Sequence, residues 1–454
     1  MVRIKKALYL VLTLGMAIII LISHDSTAIT QARTVDPVAV PVSASKLKQA
    51  FAQNDIASVI RQLELGWKYN FERYYQRRFT TPYLSLEGIQ LRLNNLQKST
   101  NQKTGLVYAV PGAKQLELIL VPPTGEPIHK TVVVDRQTLT RTAQDFRLET
   151  VNSSSSPDDY LPPAQQMYEW LIQPIADEID TQQIDTLLFC VGKGLRGLPL
   201  AALHDGQKFL IERYNLALIP AFNLLNHHPN ILSDTKVLAM GASEFSNNPA
   251  LPAVPLELRS ITQNNWSGEV LLNQDFTLEN LAEARSRNFG VIHLATHASI
   301  TANSARESYL QFWDQRLSLD QMKSLNLQTP AVQLLVLSAC QTALGSAQAE
   351  LGFAGFAVQS GAKAVIASLW KVNDVGTLVL MSELYKHLGT TQIKAQALRQ
   401  VQIDLLQGNI TIDNSSILKD SSNPTLQAAI KQLDSPNLKH PYHWAAFTLI
   451  GNPW

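Results

Sequence analysis

Six apolar runs of strand length recur through the second half of the chain: TLLFCV (186–191), KVLAM (236–240), VIHLA (291–295), QLLVLSA (333–339), AVIASLW (364–370) and FTLIG (447–451). They are continuous, without the apolar-polar alternation of a half-exposed sheet, so they predict strands buried on both faces. Helical patterns at Leu278–Arg287, Glu350–Gln359, Gly376–Leu388 and Ile393–Leu406 lie between them and supply the cover. The fold class is therefore α/β, a mostly parallel sheet flanked by helices. Ligands and catalysis in such sheets gather at the carboxyl ends of the strands, and candidate residues are sought there.

Upstream the pattern changes. GLVYAV (105–110), LELILV (116–121) and TVVV (131–134), separated by Pro111, Gly112, Thr124 and Gly125, predict an antiparallel meander. A polar tract at 152–159 then leads into a helix over Ala164–Ile179. Leu47, Phe51, Ile56, Val59, Ile60, Leu63 and Trp67 recur at helical spacing and predict one or two amphipathic helices, which either cover the sheet or dock a partner. At the N-terminus, Arg3, Lys5 and Lys6 precede the uncharged stretch Ala7–Ser23, which has the form of an export signal and is nearly long enough to span a bilayer. The domain division read from these features is 1–28 signal peptide or membrane anchor, 29–44 linker, 45–84 helical segment, 85–151 β-rich subdomain and 161–454 main domain. Both readings of residues 7–23 export the body, to the periplasm or the exterior, or anchored with the C-terminal body outside the cytoplasm.

Charge and composition exclude several classes. Lys+Arg 38 against Asp+Glu 37 leaves +1, too little to drive binding to nucleic acid, and confines membrane contact to the N-terminal segment. With two cysteines, Cys190 and Cys340, neither a disulfide framework nor a four-cysteine zinc site is available. Gly192-Lys-Gly-Leu-Arg-Gly197 follows a strand and matches a dinucleotide loop, but Pro199 and Gly206 leave no room for the helix that would face a pyrophosphate. His293 and His297 have the i, i+4 spacing of a helical zinc pair, yet VIHLA favours a strand and Leu294 occupies the glutamate position of that motif. Gly241-Ala-Ser243-Glu-Phe lacks the second glycine of a serine-hydrolase elbow. No cofactor or metal is implied.

Two strand ends stand out. His297 falls just beyond VIHLA, and Cys340 closes QLLVLSAC 43 residues later, ahead of a polar, flexible turn. A cysteine after an apolar strand is commonly an inert buried residue. The order of the two, however, is that described for caspases and their separation is near the roughly 50 residues described there, and an imidazole beside a thiol makes it nucleophilic at neutral pH. Cys190 lies inside its run and reads as core.

At these residues the chain resembles the CHAT domain, a caspase-like and separase-like group of cysteine peptidases. The resemblance is carried by GLRGLPLAAL (194–203), HLATHA (293–298), Glu307-Ser308, LLVLSACQTALG (334–345), GFAGFAVQSGAKAVIASLWKVND (352–374) and HPYHWAAFTLIG (440–451). It is strong over Leu161–Trp454, weaker over Ser85–Val151 and absent from the first 45 residues. It implies a caspase-like α/β fold with His297 as general base or orienting group, Cys340 as nucleophile, and the backbone N–H groups of Ala298 and Cys340 as oxyanion donors. Protein or peptide substrates and a regulatory protein partner follow from it. SLWKVND resembles the separase segment whose aspartate lines the pocket for a substrate arginine, which implies a preference for Arg or Lys before the cleaved bond, with Asp374 in that pocket; the same Asp374 also fits the N-cap of the next helix. The family carries Gly where this chain has Ala298, and the alternative is a catalytically silent CHAT module acting in protein interaction or regulation.

Overall fold

The structure, a computed structural model, describes residues 38–454 apart from 226–231, 233–234, 264–265, 301–304, 339–354, 392, 412–423, 425–426 and 429–436. The predicted export segment and Cys340 lie outside the described residues.

In chain order the first elements are α1 (Ala44–Ala52), α2 (Ile56–Tyr74), α3 (Leu86–Thr100), β1 (Thr104–Pro111), β2 (Leu116–Val121), β3 (Ile128–Val132), α4 (Arg136–Val151), α5 (Pro157–Leu171), α6 (Ala176–Thr181), β4 (Thr186–Val191) and β5 (Asn215–Leu218). There follow β6 (Lys236–Gly241), α7 (Val254–Gln263), β7 (Gly268–Leu272), α8 (Leu278–Arg285), β8 (Phe289–Ala295), β9 (Ala298–Ser299), β10 (Tyr309–Gln311), β11 (Arg316–Ser318) and β12 (Leu334–Ser338). The last are α9 (Phe356–Ser360), β13 (Ala364–Ser368), α10 (Asp374–Thr390), α11 (Lys394–Gln407), α12 (Pro441–Trp444) and β14 (Phe447–Gly451). All six apolar runs form strands. Every residue of β4, β8, β12 and β13 is buried, as strands covered on both faces require.

One sheet takes the order β3-β2-β1-β4-β5-β14-β13-β12-β8-β6-β7. Within it β1, β4, β5 and β14 run parallel, and so do β13, β12, β8, β6 and β7. The two blocks meet at β13 and β14, which pair antiparallel from Ala364↔Gly451 to Ser368↔Phe447. The sheet is thus mostly parallel, and the two parallel blocks run in opposite directions. Strands β1, β2 and β3 form the expected meander and extend this same sheet through the parallel pairing of β1 with β4. Helices α3 and α4 flank the meander, adding to the short β-rich runs read there from sequence.

The reversal decides what stands near what. The carboxyl ends of β8, β12 and β13 share one edge of the sheet, together with the start of β14. The carboxyl end of β4, and with it the Gly192–Gly197 loop, faces the opposite edge. Gly194 in that loop has φ +93°, a left-handed turn that glycine adopts without strain. A short 3₁₀ turn at Leu200–Ala202 follows in place of a helix. Leu195 and Leu198 are buried there, and the Arg196 guanidinium lies 5.9 Å from the ring centroid of Phe71 on α2. The loop is a packing element that receives the N-terminal helices. α2 buries Val59, Ile60, Leu63, Trp67 and Phe71, so this segment covers the sheet.

Candidate active site

His297 leaves the sheet two residues after β8 ends, and its backbone is fixed at once by a small second sheet of β9, β10 and β11. The Gln311 N–H donates to His297 O at 2.9 Å, and Thr296 Oγ1 donates to Gln311 O at 2.6 Å. At the end of β6, Gly241 lets β6 and β8 approach below this turn, where an added Cβ would lie 2.4 Å from the Ala295 carbonyl oxygen. Beyond β6, the 243–251 loop is closed by the Leu251 N–H donating to Ser243 O at 2.9 Å and tied to Asn273, whose Oδ1 accepts the Ser243 N–H at 2.8 Å.

That loop presents the Pro249 carbonyl to the imidazole: His297 Nε2 lies 2.8 Å from Pro249 O. A carbonyl only accepts, so Nε2 carries the proton and, in the neutral ring, Nδ1 carries the lone pair. Phe245 meets the ring edge-on, with centroids 4.7 Å apart. Burial holds the His297 pKa below the ordinary imidazole value; the Pro249 bond opposes this and the Lys371 charge adds to it. That shift favours the neutral ring, which the Pro249 bond orients, and among the described residues Nδ1 meets no hydrogen-bond donor.

Ala298 lies in β9 and is absent from the positive-φ residues. The position holds extended backbone, which alanine adopts freely, so the chain's departure from the family's glycine imposes no strain in the described structure. Leu310 faces Ala298 across the ladder, and the flanking Gln311 N–H to His297 O bond makes this a non-hydrogen-bonded pair. The Ala298 N–H therefore points away from β10.

A cleft of about 230 Å³ opens beside His297, lined also by Glu257, Ser338, Asp374, Thr377 and Phe447. Its position follows from register: Ala295 neighbours Ser338, and Ser368 neighbours Phe447, in one row along the sheet edge. Cys340 follows Ser338 by two residues in sequence and lies outside the described residues.

Asp374 opens α10 but does not cap it. Asn373 is the cap, its Oδ1 accepting the N–H groups of Val375 at 2.9 Å and Gly376 at 3.3 Å. Asp374 is thereby free for another contact, and its Oδ2 accepts the Ala253 N–H, at the start of α7, at 2.7 Å. Burial raises its pKa to about 7; the Ala253 bond pulls it down and the Glu257 charge pushes it up.

Behind the cleft lies a polar group that sequence reading did not identify. Glu257 Oε1 accepts from His293 Nε2 at 2.8 Å, and His293 Nδ1 lies 3.2 Å from the Tyr385 hydroxyl on α10. His293 is a satisfied buried histidine. The signal for Glu257 was present: Val254, Leu258 and Ile261 form the buried stripe of α7, and Glu257 at i+3 falls on that stripe. Cys190 is wholly buried, with Sγ 3.6 Å from Pro220 O, and burial pushes its thiol pKa well up. Among the described residues no three His, Cys, Asp or Glu side chains converge as metal ligands, and no helix is long and apolar enough to cross a membrane.

Comparison with solved structures finds the separase–securin complex of Saccharomyces cerevisiae at TM-score 0.48 and 11% identity, over 89% of this chain and 34% of that one. This chain therefore spans about a third of the separase chain. The complex of Porphyromonas gingivalis RgpB pro- and mature domains matches at TM-score 0.35 and 14% identity, over 67% of this chain and 71% of that one. The Arg-specific cysteine proteinase gingipain R matches at the same TM-score and identity, over 67% and 69%. No curated protein sequence matches. The family model for the CHAT domain matches residues 161–452, well over half of the chain, and the protein belongs to the CHAT domain family.

Proposed function

We propose that the protein is a cysteine endopeptidase. The observation that carries this reading is His297 at the strand end, its Nε2–H bound to Pro249 O and its Nδ1 left with the lone pair. In the proposed reaction Nδ1 takes the proton of Cys340 Sγ, and the thiolate attacks the peptide carbonyl carbon. The N–H groups of Ala298 and Cys340 receive the oxyanion. His297 then returns the proton to the leaving amine, and water hydrolyses the thioester. Asp374 supplies the negative charge for an Arg or Lys side chain before the cleaved bond. In support, it shares the cleft with His297, and a neighbouring residue has taken over the capping role. The bond is cleaved outside the cytoplasm, residues 1–28 serving for export.

A thiol-directed active-site probe tests the reaction. Labelling should occur in the parent and vanish in Cys340→Ala, and a peptide-library profile should show cleavage after basic residues. Equal labelling of both proteins, or a library left intact, overturns the reading. Cell fractionation tests export, with recovery of the body in the cytoplasm as the contrary result.

A further inference from the structure

The 243–251 loop separates two hollows. Its later residues, Pro249 and Leu251, line the cleft that holds His297 and Asp374. Its earlier residues, Glu244 to Asn248, form one wall of a groove of about 760 Å³, whose other wall is the end of β10 and the turn into β11. Both walls of that groove touch His297. Phe245 meets the imidazole edge-on with centroids 4.7 Å apart, and the Gln311 N–H donates to His297 O at 2.9 Å. The groove therefore adjoins His297, yet it shares no lining residue with the cleft of Asp374.

The turn is built to present one side chain. Phe312 is buried and stacks on Phe276 with centroids 4.7 Å apart, and its N–H donates to Gln315 O at 2.8 Å. The Trp313 N–H donates to Phe276 O at 3.0 Å, so the backbone is pinned while the indole is 40% exposed. The polar side chains around it are engaged with one another. Gln311 Oε1 accepts from Arg316 Nε at 3.1 Å, and Gln311 Nε2 donates to Phe312 O at 2.6 Å. The Arg316 guanidinium lies 4.3 Å from the ring centroid of Tyr309, and Gln315 Nε2 donates to Asp314 Oδ2 at 3.2 Å. Glu244, the other charge on the groove, is exposed to solvent. What remains for a ligand is aromatic surface, the Trp313 indole on one wall and the half-buried Phe245 ring on the other. A rigidly held aromatic face loses little freedom when it is covered, so an apolar side chain gains from covering it.

We propose that this groove receives the substrate residues that follow the cleaved bond, and that Trp313 selects a large apolar or aromatic side chain within the first two of them. The inference rests on the peptidase reading above and deepens it. In that reaction the residue before the bond occupies the cleft of Asp374, and His297 returns its proton to the leaving amine. The departing chain must then pass His297 outside that cleft, where the groove begins.

The test uses the full chain and internally quenched peptides with Arg before the bond, followed by Phe-Gly, Gly-Phe, Lys-Gly, Asp-Gly or Gly-Gly. The better of the two Phe peptides should exceed Gly-Gly by roughly tenfold or more in kcat/KM. Trp313→Ala should bring that ratio close to one, and Trp313→Phe should keep most of it. A purely structural role for Trp313 would lower all peptides together and leave the ratio intact, which overturns the proposal. So does a ratio near one in the parent, or a preference for Lys or Asp over Phe. A second measurement separates the groove from the peptidase: anisotropy of dye-labelled Phe-Gly-Ser-Gly, a leaving half with a free amine, on the chain carrying Cys340→Ala. It should bind, and bind roughly tenfold more weakly when Trp313→Ala is added. Such Trp313-dependent binding by a chain that cleaves no peptide would retain the groove and discard the peptidase. Cleavage after Arg that is indifferent to the residues beyond the bond would do the reverse.

Discussion

Each block of the sheet buries a glutamate, and the two are treated differently. In the block of β1, β4, β5 and β14, Glu64 of α2 receives the Tyr108 hydroxyl at 2.8 Å and the N–H groups of Phe222 and Asn223 at 2.9 and 2.8 Å. Both oxygens are spoken for, although burial still raises the carboxyl's pKa. In the block of β13, β12, β8, β6 and β7, Glu257 has one donor among the described residues and a cleft beside it. The cysteines divide the same way in sequence: Cys190 sits within its apolar run, and Cys340 follows the end of one. Burial alone does not mark a site. A buried carboxylate whose hydrogen bonds are complete fastens one element to another, whereas one left short of donors is ready for a ligand.

The contrast breaks first at the cysteines. Cys340→Ala and His297→Ala should each reduce cleavage by on the order of 10⁴-fold, with the double variant no worse than either, because nucleophile and base act as one unit. Cys190→Ala should keep its turnover, as measured on peptide substrates. Next, Asp374→Asn should lower kcat/KM for Arg peptides by roughly 10²-fold through loss of a charge-assisted contact. Asn373→Ala should instead cost about 1 kcal/mol of stability and leave the preference for Arg intact. If Asn373→Ala shifts specificity while Asp374→Asn shifts only Tm, the division of labour at the start of α10 is wrong.

Protonation sharpens the same comparison. Asp374 has its folded-state pKa raised above the ordinary 3.8 to about 7, so its contribution to stability is fully present below about pH 4 and lost as pH rises towards 7. Asp374→Asn should therefore gain stability relative to the parent between pH 4 and pH 8, read by urea denaturation. His297 is shifted down, so the acid limb of kcat should fall below the ordinary imidazole value while kcat/KM for Arg peptides already declines below about pH 7. Glu64→Ala orphans three buried donors and should cost about 3 kcal/mol in urea denaturation, with unchanged kinetics per folded molecule. A change in specificity from Glu64→Ala would erase the distinction between the blocks. The smallest effect belongs to Ala298→Gly: extended backbone already suits alanine there, so the rate should stay within about twofold and stability fall by no more than about 1 kcal/mol.

How much of this was legible in the sequence depended on the range of the interaction. Continuous apolar runs revealed the buried strands because two-sided burial leaves no polar face. β5 escaped, since its four residues Asn215–Leu218 are too short to form a pattern. The reversal at β13 and β14 escaped too, because direction is set by pairing partners and leaves no mark on composition. Within the cleft, His297 was identified from its place past a strand end, and Asp374 from the resemblance of SLWKVND to the separase segment. The capping role at α10 was misplaced by one residue, as Asn373 and Asp374 are both good caps and only coordinates show which side chain turns back to Val375 and Gly376. Pro249 acts through its carbonyl, a group every residue has, and so left no signal. Glu257 left one, a carboxylate on an apolar helical stripe, whose meaning depends on where the helix packs.

The antiparallel seam between the two parallel blocks also sets the order in which the molecule becomes complete. Its strand β14 joins β13 on one side and β5 on the other, and β5 lies more than two hundred residues earlier in the chain. Until residues 447–451 have been synthesised, the two blocks have no shared edge and Phe447 is missing from the cleft wall. A ribosome thus delivers His297 and Asp374 well before Phe447, and the cleft wall that they share closes only when strand β14 is added.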